Sequence, residues 1–180
     1  MCIRDRPTAG MTLTAAAVDL LGNVITGPVI PGNPLQMFTT DFTFIGNAVD
    51  LSIGFSRTLE VSSDGNTIYW PGYTNNQIHV YSRPDEFSAF ALTDTVLQGF
   101  ACESATWSND RSLLWLSSGS GLTPPNAYPG VVTSYTNATW YAYDPVTKEL
   151  KDSLSWVFNV AGSPDERPRG LALSQDYRYA

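Results

Sequence analysis

The apolar positions fall in short alternating runs, and three of the runs repeat one another. Leu59-Glu60-Val61-Ser62-Ser63-Asp64 continues through Gly65-Asn66 into Thr67-Ile68-Tyr69. Ala105-Thr106-Trp107-Ser108-Asn109-Asp110 leads in the same way to Leu113-Leu114-Trp115, and Leu171-Ala172-Leu173-Ser174-Gln175-Asp176 to Tyr177-Arg178-Tyr179. All three align without gaps as apolar-x-apolar-Ser-x-Asp followed by a second apolar or aromatic run, at offsets of 46 and then 66 residues. Period-two alternation marks strands, and Asp64-Gly65 tolerates the positive φ that a tight hairpin demands. The longer second interval has a visible source in segment 117–137, which carries Pro124-Pro125 and Pro129-Gly130 and reads as a loop insertion.

A second alignment supports the period. Ile78-His79-Val80-Tyr81-Ser82 matches Trp140-Tyr141-Ala142-Tyr143-Asp144, and Ala15-Ala16-Ala17-Val18-Asp19 fits more weakly. Each unit therefore reads as four short antiparallel strands, A to D. They are expected at 59–62, 67–70, 78–81 and within 86–97, then at 104–108, 113–116, 139–143 and 149–157. This divides the chain into a C–D remnant with an unassigned connection over 7–56, a blade over 57–98, a blade with a B–C insertion over 99–160, and the start of a truncated blade over 161–180. Phe42-Thr43-Phe44-Ile45 reads as a strand without a place in the repeat. Four-stranded units at this spacing specify an all-β fold, a partial β-propeller of about three blades. Propeller rings close with roughly four to eight blades, so missing blades of the same chain are the first expected partners.

Three stretches carry a family resemblance. Ser62-Ser63-Asp64-Gly65-Asn66-Thr67-Ile68-Tyr69, Asn76-Gln77-Ile78-His79-Val80-Tyr81 and Pro168-Arg169-Gly170-Leu171-Ala172-Leu173-Ser174 resemble blades of the YVTN and NHL type over roughly 57–180. The resemblance implies blade architecture and says little about activity. The middle unit departs from it in having Arg111 where glycine is usual, which predicts a different turn type or a bulge there.

Composition narrows the function classes. With 10 basic against 17 acidic residues the net charge is −7, which argues against nucleic-acid or anionic-membrane surfaces, since phosphate binding needs clustered positive charge. No apolar run approaches the ~18 residues of a membrane span. One histidine and no Cys/His cluster leave no zinc site visible, and neither a metal nor a cofactor is expected. Met1-Cys2-Ile3-Arg4-Asp5-Arg6 reads as a translated sequencing-library adapter and is set aside from fold reasoning, so the native amino terminus is expected elsewhere. Few lysines and plentiful Ser, Thr and Asn suggest an extracellular or periplasmic protein.

Most of the chemistry-bearing residues have a structural reading. The Ser-x-Asp triplets Ser62/Asp64, Ser108/Asp110 and Ser174/Asp176 suggest nucleophile and acid, but repetition at equivalent turns points to local backbone capping. His79 lies mid-strand without a visible partner, and Cys102 is expected to be a small buried hydrophobe. The sequon Asn137-Ala138-Thr139 is expected in an exposed loop.

One set of positions invites a functional reading. Four residues before Val61, Trp107 and Leu173 lie Arg57, Glu103 and Arg169, all charged in a chain that is only 15% charged. In a meander these strand-A starts share one rim with the B–C insertion, near Tyr128, Tyr135, Asp165 and Glu166. The plainer reading makes them inter-blade salt bridges and caps. As a site, two arginines flanking one glutamate favour an anionic small molecule or a protein partner. The first functional expectation is thus a binding scaffold within a larger exported protein, with no catalytic residue assigned. The alternative is a lactonase- or gluconolactonase-like hydrolase, with Glu103 contributing to a divalent cation site, which Arg57 and Arg169 would oppose.

Overall fold

The computed structural model describes residues 13–19, 21–28, 30–54, 56–72, 77–97, 102–118 and 137–157. Twelve strands lie among them and no helix. They are β1 (Leu13–Val18), β2 (Val24–Pro28), β3 (Leu35–Phe38), β4 (Phe44–Val49), β5 (Glu60–Val61), β6 (Thr67–Gly72), β7 (Gln77–Ser82), β8 (Ala91–Val96), β9 (Cys102–Trp107), β10 (Leu114–Ser118), β11 (Asn137–Asp144) and β12 (Glu149–Val157). They form three four-stranded antiparallel meanders, β1 to β4, β5 to β8 and β9 to β12, here called sheets one to three. The inner strand β5 neighbours both β1 and β9. All eight strands expected from the two full repeats are present, with ends shifted by one or two residues and β8 within its wider window.

Sheet one corrects the expectation of a C–D remnant. Ala15 to Val18 belong to β1, the innermost strand of a complete meander, and Phe44 and Ile45 open its outer strand β4. The three inner hairpins share one turn. Gly22 N donates to Asp19 O at 3.1 Å, Gly65 N to Ser62 O at 3.0 Å and Arg111 N to Ser108 O at 2.8 Å. Sheet one has Asp19 in place of the serine. It also closes one residue sooner, with Asp19 N on Asn23 O where Ser62 N reaches Thr67 O. The matching hairpin expected near 176 lies outside the described residues.

Sheet two buries both faces. Ile68, Trp70 and Tyr81, with Leu59, Val61 and Phe90, pack on Ala15, Ile25, Leu35, Ala48 and Val49 of sheet one. Tyr69, Ile78 and Val80 pack on Cys102, Ala105, Leu114, Leu116 and Tyr143 of sheet three. This explains why β6 and β7 read as nearly continuous apolar runs, since neighbouring side chains leave opposite faces and both faces are covered.

Two contacts close the seam between sheets one and two. Trp70, fully buried, lies over Gly27, where an added Cβ would fall 2.2 Å from an indole carbon, and its Nε1 donates to Ile53 O at 3.0 Å. Arg83 is a buried cation. Its Nη2 donates to Gly65 O at 2.9 Å and lies 3.5 Å from Asp19 Oδ2. Nη1 reaches Glu86 O at 3.1 Å, Nε reaches Asn66 Oδ1 at 3.3 Å, and the guanidinium carbon sits 4.5 Å from the Phe90 centroid. The Asp19 carboxylate is further satisfied by the amides of Leu21 and Asn23 and the Asn23 side chain.

Gly27→Ala should destabilise the protein by about 1–3 kcal/mol through overpacking, and Trp70→Ala by about 3–5 kcal/mol, both read as a lowered urea midpoint. Removing Arg83 leaves Asp19 buried without its cation, so Arg83→Ala should cost about 3–5 kcal/mol. Arg83→Lys should recover little, because one ammonium cannot serve Gly65, Asn66 and Glu86 together. A double-mutant cycle with Asp19→Ala should be clearly non-additive, and strict additivity would refute the coupling.

Candidate functional site

The inner strands set the geometry. Thr58 Oγ1 donates to Ala105 O at 3.4 Å, tying the approach to β5 against β9. The approach is fixed by Ser56, whose buried hydroxyl donates to Thr58 O at 2.7 Å and accepts from Thr58 N at 3.2 Å. Arg57 lies between them and is exposed. Glu103 lies in β9, where Ser117 pairs with Ser104 and Ser118 with Cys102, leaving Glu103 as the extra residue of a β-bulge. Bulges re-aim strands and recur beside binding sites. Arg169, Asp165, Glu166, Tyr128 and Tyr135 lie outside the described residues, as does 119–136.

The serine and aspartate triplets are turn caps. Ser62 Oγ donates to Asp64 Oδ1 and accepts from Thr67 N at 2.9 Å, while Asp64 Oδ1 accepts from Asn66 N at 3.0 Å. Ser108 and Asp110 repeat this, with Ser108 Oγ donating at 2.6 Å, Leu113 N capping Ser108 Oγ and Ser112 N capping Asp110. The serine hydroxyls, with the amides of Asn66 and Ser112, hold both carboxyls below the usual carboxylate range. The same grammar appears at Thr39 and Asp41 in the β3–β4 turn, where sequence reading found no triplet. Such hydroxyls are committed to backbone amides and are not poised as nucleophiles.

His79 is buried, with burial holding its pKa below the ordinary value. Its Nε2 lies 3.4 Å from Gln77 Nε2, and its Nδ1 has no partner among the described residues. Cys102 is fully buried, its Sγ 3.0 Å from Ser104 O. Asn137 corrects an expectation, for it begins β11 and pairs with Val157, so the sequon opens a strand instead of lying in a loop. No group of three His, Cys, Asp or Glu able to hold a metal occurs among the described residues.

Two residues escaped the sequence reading as site candidates. Arg111 has φ 56, the left-handed conformation that Gly22 and Gly65 adopt at φ 83 and 73, so its turn is the same type and not a different one. For a residue with a Cβ this costs about 1–2 kcal/mol. Its Nη1 lies 3.5 Å from Val61 O on the neighbouring blade. Glu60, beside Val61, is half-buried in β5, and desolvation pushes its carboxyl up to about 7 against the opposing pull of Arg111. The signal was a charge in the x slot of an apolar-x-apolar strand.

No family model and no curated protein matches the chain. Solved structures similar in fold include a 6-phosphogluconolactonase candidate from Bacteroides uniformis, at TM-score 0.58 and 12% identity over 94% of this chain and 46% of that one. The Myceliophteria thermophila Cps50 (Swd1) β-propeller domain aligns at 0.55 and 14% over 80% of this chain and 43% of its own length. Kuenenia stuttgartiensis hydrazine synthase aligns at 0.57 and 14% over 81% and 38%. The chain thus spans less than half of each of these structures. At such identities the likeness shows fold alone, and with the three stacked meanders it establishes a partial β-propeller.

Proposed function

We propose that the chain is a binding segment of a larger, exported β-propeller protein of the YVTN/NHL kind, with further blades of the same protein covering its outer sheets. Its rim residues Arg57, Glu103 and Arg169 take an anionic, carboxylate-bearing ligand. The observation that supports the reading is the Thr58 to Ala105 contact, which holds the approach to β5, next to Arg57, against the middle of β9, two residues from Glu103 in sequence. Paired guanidinium groups offer bidentate donors to a carboxylate.

The hydrolase reading draws on the 6-phosphogluconolactonase candidate among the similar folds. It needs a cation near Glu103, and flanking arginines oppose one. In the full-length protein, Arg57→Ala or Arg169→Ala should weaken citrate binding by roughly tenfold or more, about the loss of one charged hydrogen bond, with little change in melting temperature. Should both variants melt earlier and bind citrate unchanged, the charges are inter-blade braces. Stabilisation by calcium that vanishes in Glu103→Ala would instead favour the hydrolase.

A further inference from the structure

The seam between β5 and β9 leaves polar groups without partners. Glu60 pairs with Tyr69, and Tyr69 faces sheet three, so the Glu60 side chain leaves β5 on that same face. Trp107 stands edge-on to Tyr69 with ring centroids 5.5 Å apart, and its buried indole Nε1 has no acceptor among the described residues. The Glu60 carboxyl has no hydrogen-bond donor among them either. Arg111 is exposed in the β9–β10 turn and lays Nη1 on Val61 O, leaving most of its five N–H donors for water or another acceptor. The turn itself does not require arginine, since Gly22 and Gly65 occupy the sister positions.

Glu60 and Trp107 thus both flank Tyr69 where the sheets meet, and the Arg111 charge acts on Glu60 there. A simple cation would be repelled by Arg111, and a simple anion by the Glu60 carboxylate. A ligand carrying both charges satisfies both groups. We propose that this seam binds a small zwitterion, the head group of an α-amino acid, with its ammonium on Glu60 and its carboxylate on Arg111 and the Trp107 indole N–H. The seam lies at the turn ends of the inner strands, and the proposal does not depend on the rim reading.

The proton balance follows from the groups around Glu60. Arg111 from the β9–β10 turn acts on Glu60 directly, and Tyr69 of β6 stands opposite it; Asp64 in the β5–β6 turn and Tyr143 of β11 act on Tyr69 in turn. Burial keeps the Glu60 carboxyl protonated below about 7. An ammonium must displace that proton, so binding releases it at low pH and tightens as pH rises.

The test uses glycine as probe on the full-length protein, following the Trp107 indole N–H signal by NMR, identified by its loss in Trp107→Phe. Calorimetry in phosphate and in Tris reads proton release. Glycine should shift the signal saturably, with affinity rising roughly tenfold between pH 6 and pH 8 and then levelling, as a carboxyl titrating near neutrality requires. Lactate, which lacks the ammonium, and ethanolamine, which lacks the carboxylate, should give no saturable shift. Glu60→Gln should abolish the pH dependence and the proton release. Arg111→Gly should keep the turn and weaken glycine by roughly tenfold or more, the loss of a charged contact. The proposal is overturned if lactate or ethanolamine binds as glycine does, if glycine binding survives unchanged in both variants, or if glycine gives no response up to about 100 mM, well beyond millimolar affinity.

Discussion

Sheet two buries both of its faces, and the rest of the structure follows from that requirement. A single blade that is apolar on both faces cannot bury them by itself, whereas stacking neighbours on both sides removes the apolar runs of β6 and β7 from water together. The stacking sets β1, β5 and β9 side by side, and this alone brings the approach to β5 against β9. Trp70 shows how closely the faces meet, because only a glycine at position 27 leaves room for the indole.

Arg83 meets the same constraint with charge. Burying a guanidinium costs several kcal/mol, and the cost is offset only where acceptors are already in place. Here they come from the inner turn of sheet two, from the turn carboxylate Asp19 of sheet one and from the loop at Glu86. Because the acceptors belong to two sheets, the cation holds their turns in one relative position. Arg111 acts on the next seam in a related way, accepting a left-handed backbone in order to reach Val61.

Much of the fold is legible in the sequence. Strands β5 to β12 lie close to where alternation places them, and β12 coincides with its expected range. Sheet one was less legible for a local reason. Its inner turn replaces serine with Asp19 and is a residue shorter, so the repeat pattern fails although the hydrogen bonds are equivalent. The rim was legible only as positions, with Arg57 exposed, Glu103 at a bulge and Arg169 beyond the described residues. Glu60 was passed over because the x slot of an alternating strand ordinarily faces solvent. Its burial comes from sheet three, which alternation within β5 cannot reveal.

The division between sequence and tertiary structure follows the range of the interactions. Strand periodicity, the seryl and aspartyl turn caps and the blade spacing rest on hydrogen bonds and side-chain alternation within a few residues, so composition and order along the chain determine them. Which face of a sheet is covered, whether a charge is desolvated and whether Arg111 bends into a glycine's conformation depend on a neighbour brought in from 47 to 64 residues away. Burial is a property of that partner as much as of the residue, and only the packed blades decide it.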